Sequence, residues 1–423
     1  KPLNSVIDAA NLNLVKNTAI NLSISPTEII ETFYTPLSKR QSKPSSRTRS
    51  RGLSSFNSEE DKDKETQKDS PEKKNSSEIN SLFLERIYNE SKKIEPLTLT
   101  ITNNTNRLSN GIDGDVPLGY RLGLKDNHGL SSVSEVGLNT GNEDIKKSFT
   151  ARSGIRFNPQ TSLSISFNES ISSNINGYSI DIRSISRDYI SFGNNLSKGF
   201  PFLNWSFRIG GLEKISFIKP YVSSVSLEHA FSGKQNLSWK FNEDGITPIN
   251  LFGISSFEDD FNDSLQLSRV TRSFTPLIGI STSFKNGVST NIRSNVTHTL
   301  DEVATGLTYI SDNSILATIT YNFSKGIRFE LPFTDGNINL RNNMNISLNF
   351  DFSNKKEEGS KDKINFVEQN FSNTRKSVLR ITYTLTDDVT GSLFYEYREN
   401  DTRLTGRRID RDFGINLNVA IRG

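Results

Sequence analysis

From residue 97 onward, apolar side chains recur at every second position in runs of about seven to eleven residues, with Ser, Thr, Asn, Arg and Glu between them. Period two places successive side chains on opposite faces of a strand, so each run predicts a strand with one apolar and one polar face. The runs include Leu97/Leu99/Ile101, Phe149/Ala151/Ile155/Phe157, Leu163/Ile165/Phe167 and Leu203/Trp205/Phe207/Ile209. They continue through Val225/Leu227/Phe231, Leu237/Trp239/Phe241, Ile278/Ile280/Phe284 and Val288/Ile292 to Ile315–Phe323 and Met344–Phe352. The last three are the clearest: Leu379/Ile381/Tyr383/Leu385, Leu393/Tyr395/Tyr397 and Phe413/Ile415/Leu417/Val419/Ile421. Counting runs predicts roughly 16–18 strands between residues 97 and 422.

Composition narrows the setting of such a sheet. Of 423 residues 33% are hydrophobic and 23% charged, and no stretch of ~20 apolar residues occurs, which excludes a helical membrane protein. Aromatics at 9% and the long alternating runs argue against a wholly disordered chain. The absence of Cys excludes a disulfide scaffold, a Cys-ligated zinc site and a thiol nucleophile. Fifty-one basic against 48 acidic residues give a net charge of +3, which selects no class of partner. A soluble sandwich, barrel or solenoid also alternates. Three features favour a membrane: the stripes match the ~9–11 residues a tilted strand needs to cross a bilayer, Phe and Tyr sit near stripe ends as in an aromatic girdle, and the opposite face is too polar to pack dry against a second sheet. The expected fold is therefore all-β, a transmembrane antiparallel outer-membrane β-barrel.

The N-terminal part reads differently. Residues 1–40 are ambiguous apart from a short helix at Ser25-Pro26-Thr27-Glu28, with Ser at N-cap, Pro at N1 and Glu at N3 positioned to close a capping box. Residues 41–77 alternate Arg with Ser around Lys43, Arg47, Arg49 and Arg51 and then run through Glu59–Glu65 without apolar partners, which predicts a disordered charged loop. The adjacent acidic run cancels the field that would draw phosphate to the Arg/Ser tract, so no nucleic-acid partner is expected. Ile79, Leu82, Phe83 and Ile87 predict an amphipathic helix at 78–92, packing as a simple structural element, with a connector to residue 96. The chain opens Lys1-Pro2-Leu3-Asn4 without a signal-like segment, which is the expectation for a piece of a longer polypeptide.

Turn chemistry orders the strands. Asn286-Gly287 is a two-residue hairpin signal, and Asn158-Pro159-Gln160 and Asp387-Asp388 are similarly tight. Residues 353–376 and 400–410 read as long charged connections. In an outer-membrane barrel these would face outward, with the final strand ending on the periplasmic side.

No constellation for chemistry emerges. His128, His229 and His298 lack HExxH-like spacing. No Ser lies in a Gly-x-Ser-x-Gly elbow, and Gly210-Gly211 matches no phosphate-cradling pattern. Asp259-Asp260 would point to opposite faces of a strand and reads as loop. The cluster Asp401, Arg403, Arg407, Arg408, Asp410, Arg411 and Asp412 reads as a solvated loop with weak ion pairs. The expectation is a protein without catalytic, metal or cofactor residues, and not an enzyme.

Several ordered motifs carry a resemblance. Pro201-Phe202-Leu203-Asn204-Trp205-Ser206-Phe207, then Gly211-Leu212-Glu213-Lys214-Ile215 and Phe217-Ile218-Lys219-Pro220-Tyr221, lead into Val225-Ser226-Leu227-Glu228-His229-Ala230-Phe231-Ser232-Gly233. Phe274-Thr275-Pro276-Leu277-Ile278-Gly279 leads to Lys285-Asn286-Gly287-Val288-Ser289-Thr290, followed by Phe329–Phe333, Leu340–Met344 and Leu348-Asn349-Phe350. This order resembles the C-terminal region of the SprA/Sov family, the outer-membrane translocons of the type IX secretion system of Bacteroidetes, also called gliding-motility cell-surface proteins. The resemblance runs from about 115 to 423. It implies part of a larger barrel forming a gated pore for secreted cargo proteins, with plug and accessory subunits as partners and a Gram-negative outer membrane as location. Two departures stand against it: family members are several times longer, and the 41–77 tract matches nothing in the motif region. A self-contained porin-like channel for small solutes and a soluble β-rich surface adhesin remain alternatives.

Overall fold

The computed structural model describes residues 10–36, 76–112, 114–125, 129–130, 141–176, 180–192, 196, 198–241, 265–323, 327–330, 337–340, 342–386 and 388–420. The chain divides into two units, residues 24–96 and a larger one formed by residues 1–23 with 97–423.

The smaller unit holds two helices, α1 (Pro26–Phe33) and α2 (Ser76–Ser91). The expected helix start is present, with Ser25 at the N-cap and Pro26 at N1, but the capping box is not formed. Ser25 Oγ lies 2.7 Å from Thr27 Oγ1 and bonds no helix N–H. Helix α2 coincides with the expected amphipathic helix, yet Phe83 and Ile87 are exposed. What joins α1 to α2 is a pair of tyrosines: Tyr34 Oη donates to Glu85 at 2.6 Å, and Tyr88 Oη donates to Glu31 at 2.8 Å. Of the tract expected to be a charged loop, residues 41–75 lie outside the described residues, and Ser76-Ser77 opens α2.

The larger unit is one antiparallel sheet of 15 strands with a separate two-stranded hairpin. Its strands are β1 (Ala10–Ile24), β2 (Leu97–Ile112), β3 (Asn142–Asn158), β4 (Thr161–Asn176), β5 (Ile180–Ser191), β6 (Gly199–Pro201), β7 (Asn204–Ile209), β8 (Val222–Phe241) and β9 (Leu265–Phe284). They continue as β10 (Val288–Val303), β11 (Gly306–Phe323), β14 (Met344–Ser360), β15 (Val367–Thr386), β16 (Val389–Thr402) and β17 (Gly406–Val419); β12 (Ile327–Glu330) pairs only with β13 (Asn337–Leu340). The main path is β1-β2-β3-β4-β5-β8-β9-β10-β11-β14-β15-β16-β17, and no pairing among the described residues joins its two ends. A four-residue helix, α3 (Leu118–Arg121), lies in the connection after β2.

Three readings of the sequence need correction. First, although the 16 strands from β2 to β17 fall within the expected 16–18, a stripe is not always a strand, because two stripes can share one. Val225/Leu227/Phe231 and Leu237/Trp239/Phe241 both belong to β8, 20 residues long. Second, the ambiguous N-terminal segment contributes β1, whose Asn11 Oδ1 accepts from the Gly111 N–H at 3.4 Å. Third, 353–376 and 400–410 are not long connections. Strands β14 and β15 are joined by residues 361–366, and β16 and β17 by residues 403–405. Polar residues on both faces of these strand ends hide them from a hydrophobic pattern, while the ladder continues unbroken from Phe352↔Arg375 to Asn354↔Asn373 and from Tyr397↔Arg411 to Thr402↔Gly406.

The tight turns are where they were expected. Asn158 pairs with Thr161 across a two-residue turn, and its Oδ1 accepts from the Gln160 N–H at 2.8 Å. Thr386 pairs with Val389. The Asn286-Gly287 turn has three residues, Lys285 to Gly287, rather than two. Gly287 takes φ +89°, the left-handed residue that a three-residue hairpin requires. These three turns lie at one end of the sheet, and the β10–β11, β14–β15 and β16–β17 turns at the other.

Candidate functional site on the apolar face of the sheet

The register gathers the apolar stripes into one band. Leu348, Leu379, Tyr395 and Phe413 stand side by side across β14–β17, and Ile346, Ile381, Leu393 and Ile415 form the next rung. Tyr383, Gly391 and Leu417 follow, then Val389 beside Val419. Further along the sheet Leu227, Ile280, Ile292, Ala317 and Phe350 form one rung, and Phe207, Leu163 and Ile155 continue the same face through β7, β4 and β3. The opposite face carries Asn349, Val378, Glu396 and Asp412 on one rung and Asn345, Thr382, Ser392 and Asn416 on another. On β14 the band runs from Met344 to Phe352, nine residues, within the ~9–11 that a tilted strand uses to cross hydrocarbon.

All the described residues of the final strands that were expected to face lipid share this face of the sheet. Leu385 sits at the register shift before the 387–388 turn, with its side chain near Gly391, and Ile421 lies outside the described residues. Phe413, Ile415, Leu417 and Val419 are 58–71% exposed. Each such side chain forgoes about 1.5–3 kcal/mol relative to full burial, so the band calls for an apolar phase or partner.

The motif residues converge elsewhere, where one position in the sheet is filled by two segments. Between β4 and β8, β5 covers one half of the length and β7 the other: Glu169–Asn176 pair with β5, and Thr161–Ser166 with β7. Between them in the chain, β6 pairs with β5, setting Tyr189 opposite Pro201. Asn204 Oδ1 accepts from the Gly233 N–H at 2.8 Å and fixes the re-entry. Trp205 then stacks on Phe231 at 4.2 Å between ring centroids, and Phe231 packs on Phe274 at 5.3 Å. Phe274 begins a bulge in β9. Four residues of β9, Thr275 to Ile278, face only His229 and Ala230 of β8. His229 Nδ1–H donates to the Leu277 carbonyl at 2.7 Å and closes that bulge. At Gly279 a Cβ would lie 3.0 Å from Pro276 Cγ, and at Gly233 it would overlap the Tyr189 carbonyl. Asn204, Trp205, Pro276, Leu277 and Gly279 thus form one packed joint. Gly211 and Leu212 shape the turn into β8 and Asn286-Gly287 the turn out of β9, apart from it.

Beyond the band, on the same face of β15–β17, lies a charged group anchored by Glu399, which is 9% exposed. Its Oε2 accepts from Tyr397 Oη at 3.0 Å, its Oε1 accepts from Arg407 Nε at 2.8 Å, and Arg375 Nη1 is 3.9 Å away. Arg411 pairs across the ladder with Tyr397 and is exposed. The mixed-charge cluster read as a loop is therefore mostly strand, with Asp401, Arg407 and Arg411 on the apolar face, Arg408, Asp410 and Asp412 on the other, and Arg403 in the turn. In the 361–366 turn, Asp362 accepts from the backbone N–H groups of Ile364 and Asn365 and from Ser360 Oγ, which hold its carboxyl well below the usual carboxylate range.

The remaining sequence candidates are scattered. His298 bonds Tyr309 Oη at 2.8 Å, and His128 and Asp259-Asp260 lie outside the described residues. Among the described residues no group of three or more His, Asp or Glu is placed to hold a metal ion, and no helix is long and apolar enough to cross a membrane. No protein-family model matches the chain, and no curated protein matches it.

Proposed function

We propose that this chain forms part of the wall of an outer-membrane β-barrel and contributes to a protein-conducting pore of the type IX secretion kind. The observation that carries the membrane part is the apolar band, nine residues long on β14 and shared by its neighbours β15–β17, with a mostly polar face behind it. A sheet so built presents its band to lipid and its Asn, Ser, Thr and charged face to an aqueous lumen. The two ends of the sheet need strand partners, each other or a further segment, since an unpaired edge is not tolerated in hydrocarbon. The protein-conducting part rests on the ordered motifs that resemble the SprA/Sov family, several of which meet in the Trp205–Phe231–Phe274 joint. Its work there is passive: a polar, water-filled path for secreted cargo, with plug and accessory subunits controlling access.

Native outer membranes, boiled and unboiled, are resolved on a gel and probed with an antibody to the 403–405 turn. A very large heat-modifiable band is expected. A heat-modifiable band near the chain's own 47.4 kDa replaces the translocon with a self-contained porin-like channel. An unshifted band in the soluble fraction overturns the membrane reading.

A further inference from the structure

On the proposed outer-membrane reading, we infer that the β5–β6 hairpin is a membrane anchor, with Phe192, Phe200 and Phe202 seated in the lipid interface at the charged edge of a belt that crosses the ladder diagonally. Three observations combine. The first is the charged edge. Rungs of the band's face, two residues apart, are counted from Leu348–Leu379–Tyr395–Phe413. Moving away from the 387–388 turn, the first Lys, Arg, Asp or Glu on this face is Arg411 on β17, one rung up, and Arg375 on β15, two up. Lys356 on β14 and Arg272 on β9 follow at four, Glu169 on β4 at five and Lys147 on β3 at six. Strands β8 and β11 carry none and β10 none before Glu302, so among the described strand residues none of these types lies on the near side of this line. The face behind carries several there, Asp351, Arg380 and the group in which Glu228 joins Arg208 and Arg293.

The second is the opposite edge. The residues that follow the three tight turns are Val389, three rungs below the reference, Val288, one below, and Thr161, one above. Both lines therefore climb about one residue per strand from β17 toward β3. With ~3.3 Å per residue and ~4.8 Å between strands, that slope is a tilt of about 35°, within the ~35–45° of outer-membrane strands. The lines stay four to five rungs apart, which is ~22–27 Å across the belt, against the ~25 Å of an outer-membrane apolar band. A soluble sheet has no reason to keep two such lines parallel.

The third is the hairpin. After Asp188↔Lys234, β5 leaves β8 and pairs with β6. A Cβ at Gly233 would overlap the Tyr189 carbonyl, and Gly233 shares the face of Phe231, so the hairpin crosses the band's side of the sheet. Leu196 seats it on Val270, with Leu300 and Tyr309, one rung past Arg272, whose Nη1 donates to the Ser191 carbonyl at 3.5 Å. The hairpin thus lies on the charged line itself. Phe192, Phe200 and Phe202 are 61%, 49% and 41% exposed, with ring centroids 6.0 and 5.6 Å apart, and Lys198 is exposed beside them. They offer about 300 Å² of ring surface, far short of the ~800 Å² per partner that a stable protein interface buries. Below them the belt begins with Phe274 and the exposed Ile278. Half-exposed rings at the edge of hydrocarbon are what an interfacial aromatic girdle supplies.

The chain has no Cys, so a single introduced thiol carries a nitroxide label. Relaxation by oxygen, which partitions into lipid, is compared with relaxation by a water-soluble nickel chelate, in native outer membranes and in phospholipid vesicles. The variants are Ile292→Cys, Leu417→Cys, Arg411→Cys, Phe192→Cys and Phe200→Cys, with Leu404→Cys in the 403–405 turn as the aqueous reference. Ile292 and Leu417, three rungs apart, are both expected to lose relaxation by the chelate, and Arg411, on the Ile292 rung, to retain it. Phe192 and Phe200 are expected to fall between Leu404 and Ile292 in both preparations. Equal shielding of Arg411 and Ile292 overturns the diagonal belt. Phe192 and Phe200 as open as Leu404, with Ile292 and Leu417 shielded, overturns the anchor while the membrane reading stands. Hairpin positions as shielded as Ile292 overturn their placement at the edge. Shielding of the hairpin in native membranes but not in phospholipid vesicles assigns the facet to a protein partner and overturns the choice of lipid. Ile292 and Leu417 open to the chelate in both preparations overturns the membrane reading itself.

Discussion

Strands β4–β11 and strands β14–β17 belong to one sheet but are stabilised by different means. The first group holds a core of its own: Ile171, Ile185, Tyr189, Leu196, Phe231, Leu237, Trp239 and Val270 are all under 9% exposed. Tyr189, Leu196 and Val270 pack as a cluster against Leu300 and Tyr309. The second group has regular ladders and short turns, yet of its apolar described residues only Met344 is as deeply buried. Backbone pairing gives β14–β17 their geometry, and burial has to come from something laid against the band. A sheet can therefore contain one region that carries its own apolar interior and another that borrows one from its surroundings.

The sharpest way to break this contrast is to damage the self-contained region. Phe231→Ala removes the buried ring between Trp205 and Phe274 and is expected to cost about 3–5 kcal/mol, read as a lowered urea midpoint of the protein in detergent. A loss below ~1 kcal/mol would mean the joint is not a core. The borrowed interior is tested by Leu417→Arg, which should cost roughly 2–4 kcal/mol if that rung lies at mid-membrane, against almost nothing for Asn416→Arg on the other face. Assembly yields in outer membranes measure the pair, and equal yields would erase the distinction between the two faces.

These two regions were unequally legible. The band of β15–β17 could be read from Leu379, Ile381, Tyr383, Leu393, Ile415 and Leu417, because one face of these strands is apolar and the other is mostly polar. The outer ends of the same strands could not: Lys355, Lys356, Glu357 and Glu358 alternate between faces that are both polar, so only pairing partners distant in sequence reveal a strand. The break between β5 and β7 was hidden for a related reason. Asn204 and Trp205 read as the start of one more stripe, and nothing local says that the preceding segment occupies the same position in the sheet. The charge group around Glu399 was visible in part, as Arg407 and Arg411, but its division between faces needed the register.

The smallest expected effect concerns the 361–366 turn. The depressed pKa of Asp362 means the folded turn holds the ionised form. Its contribution is complete above the unfolded carboxylate value near pH 3.9 and is lost as pH falls below it toward the folded value. Hydrogen exchange at Ile364 and Asn365, corrected for intrinsic rate, should lose protection below about pH 4 in the unmodified protein. In Asp362→Ala it should be low at every pH. Unchanged protection across that window would remove Asp362 from the turn's stability.

The shared position of β5 and β7 also bears on how such a protein can diversify. Strands β4 and β8 each pair with β5 along one half and β7 along the other, so neither partner registers how much chain lies between Ser191 and Asn204. Lengthening that span adds little but loop-closure entropy, about 0.6 kcal/mol for each doubling, provided the addition leaves in place Leu196, which packs with Tyr189 and Val270, and β6, which pairs with β5. An inserted module, even a folded domain, can be grafted there while every rung on either side keeps its neighbours.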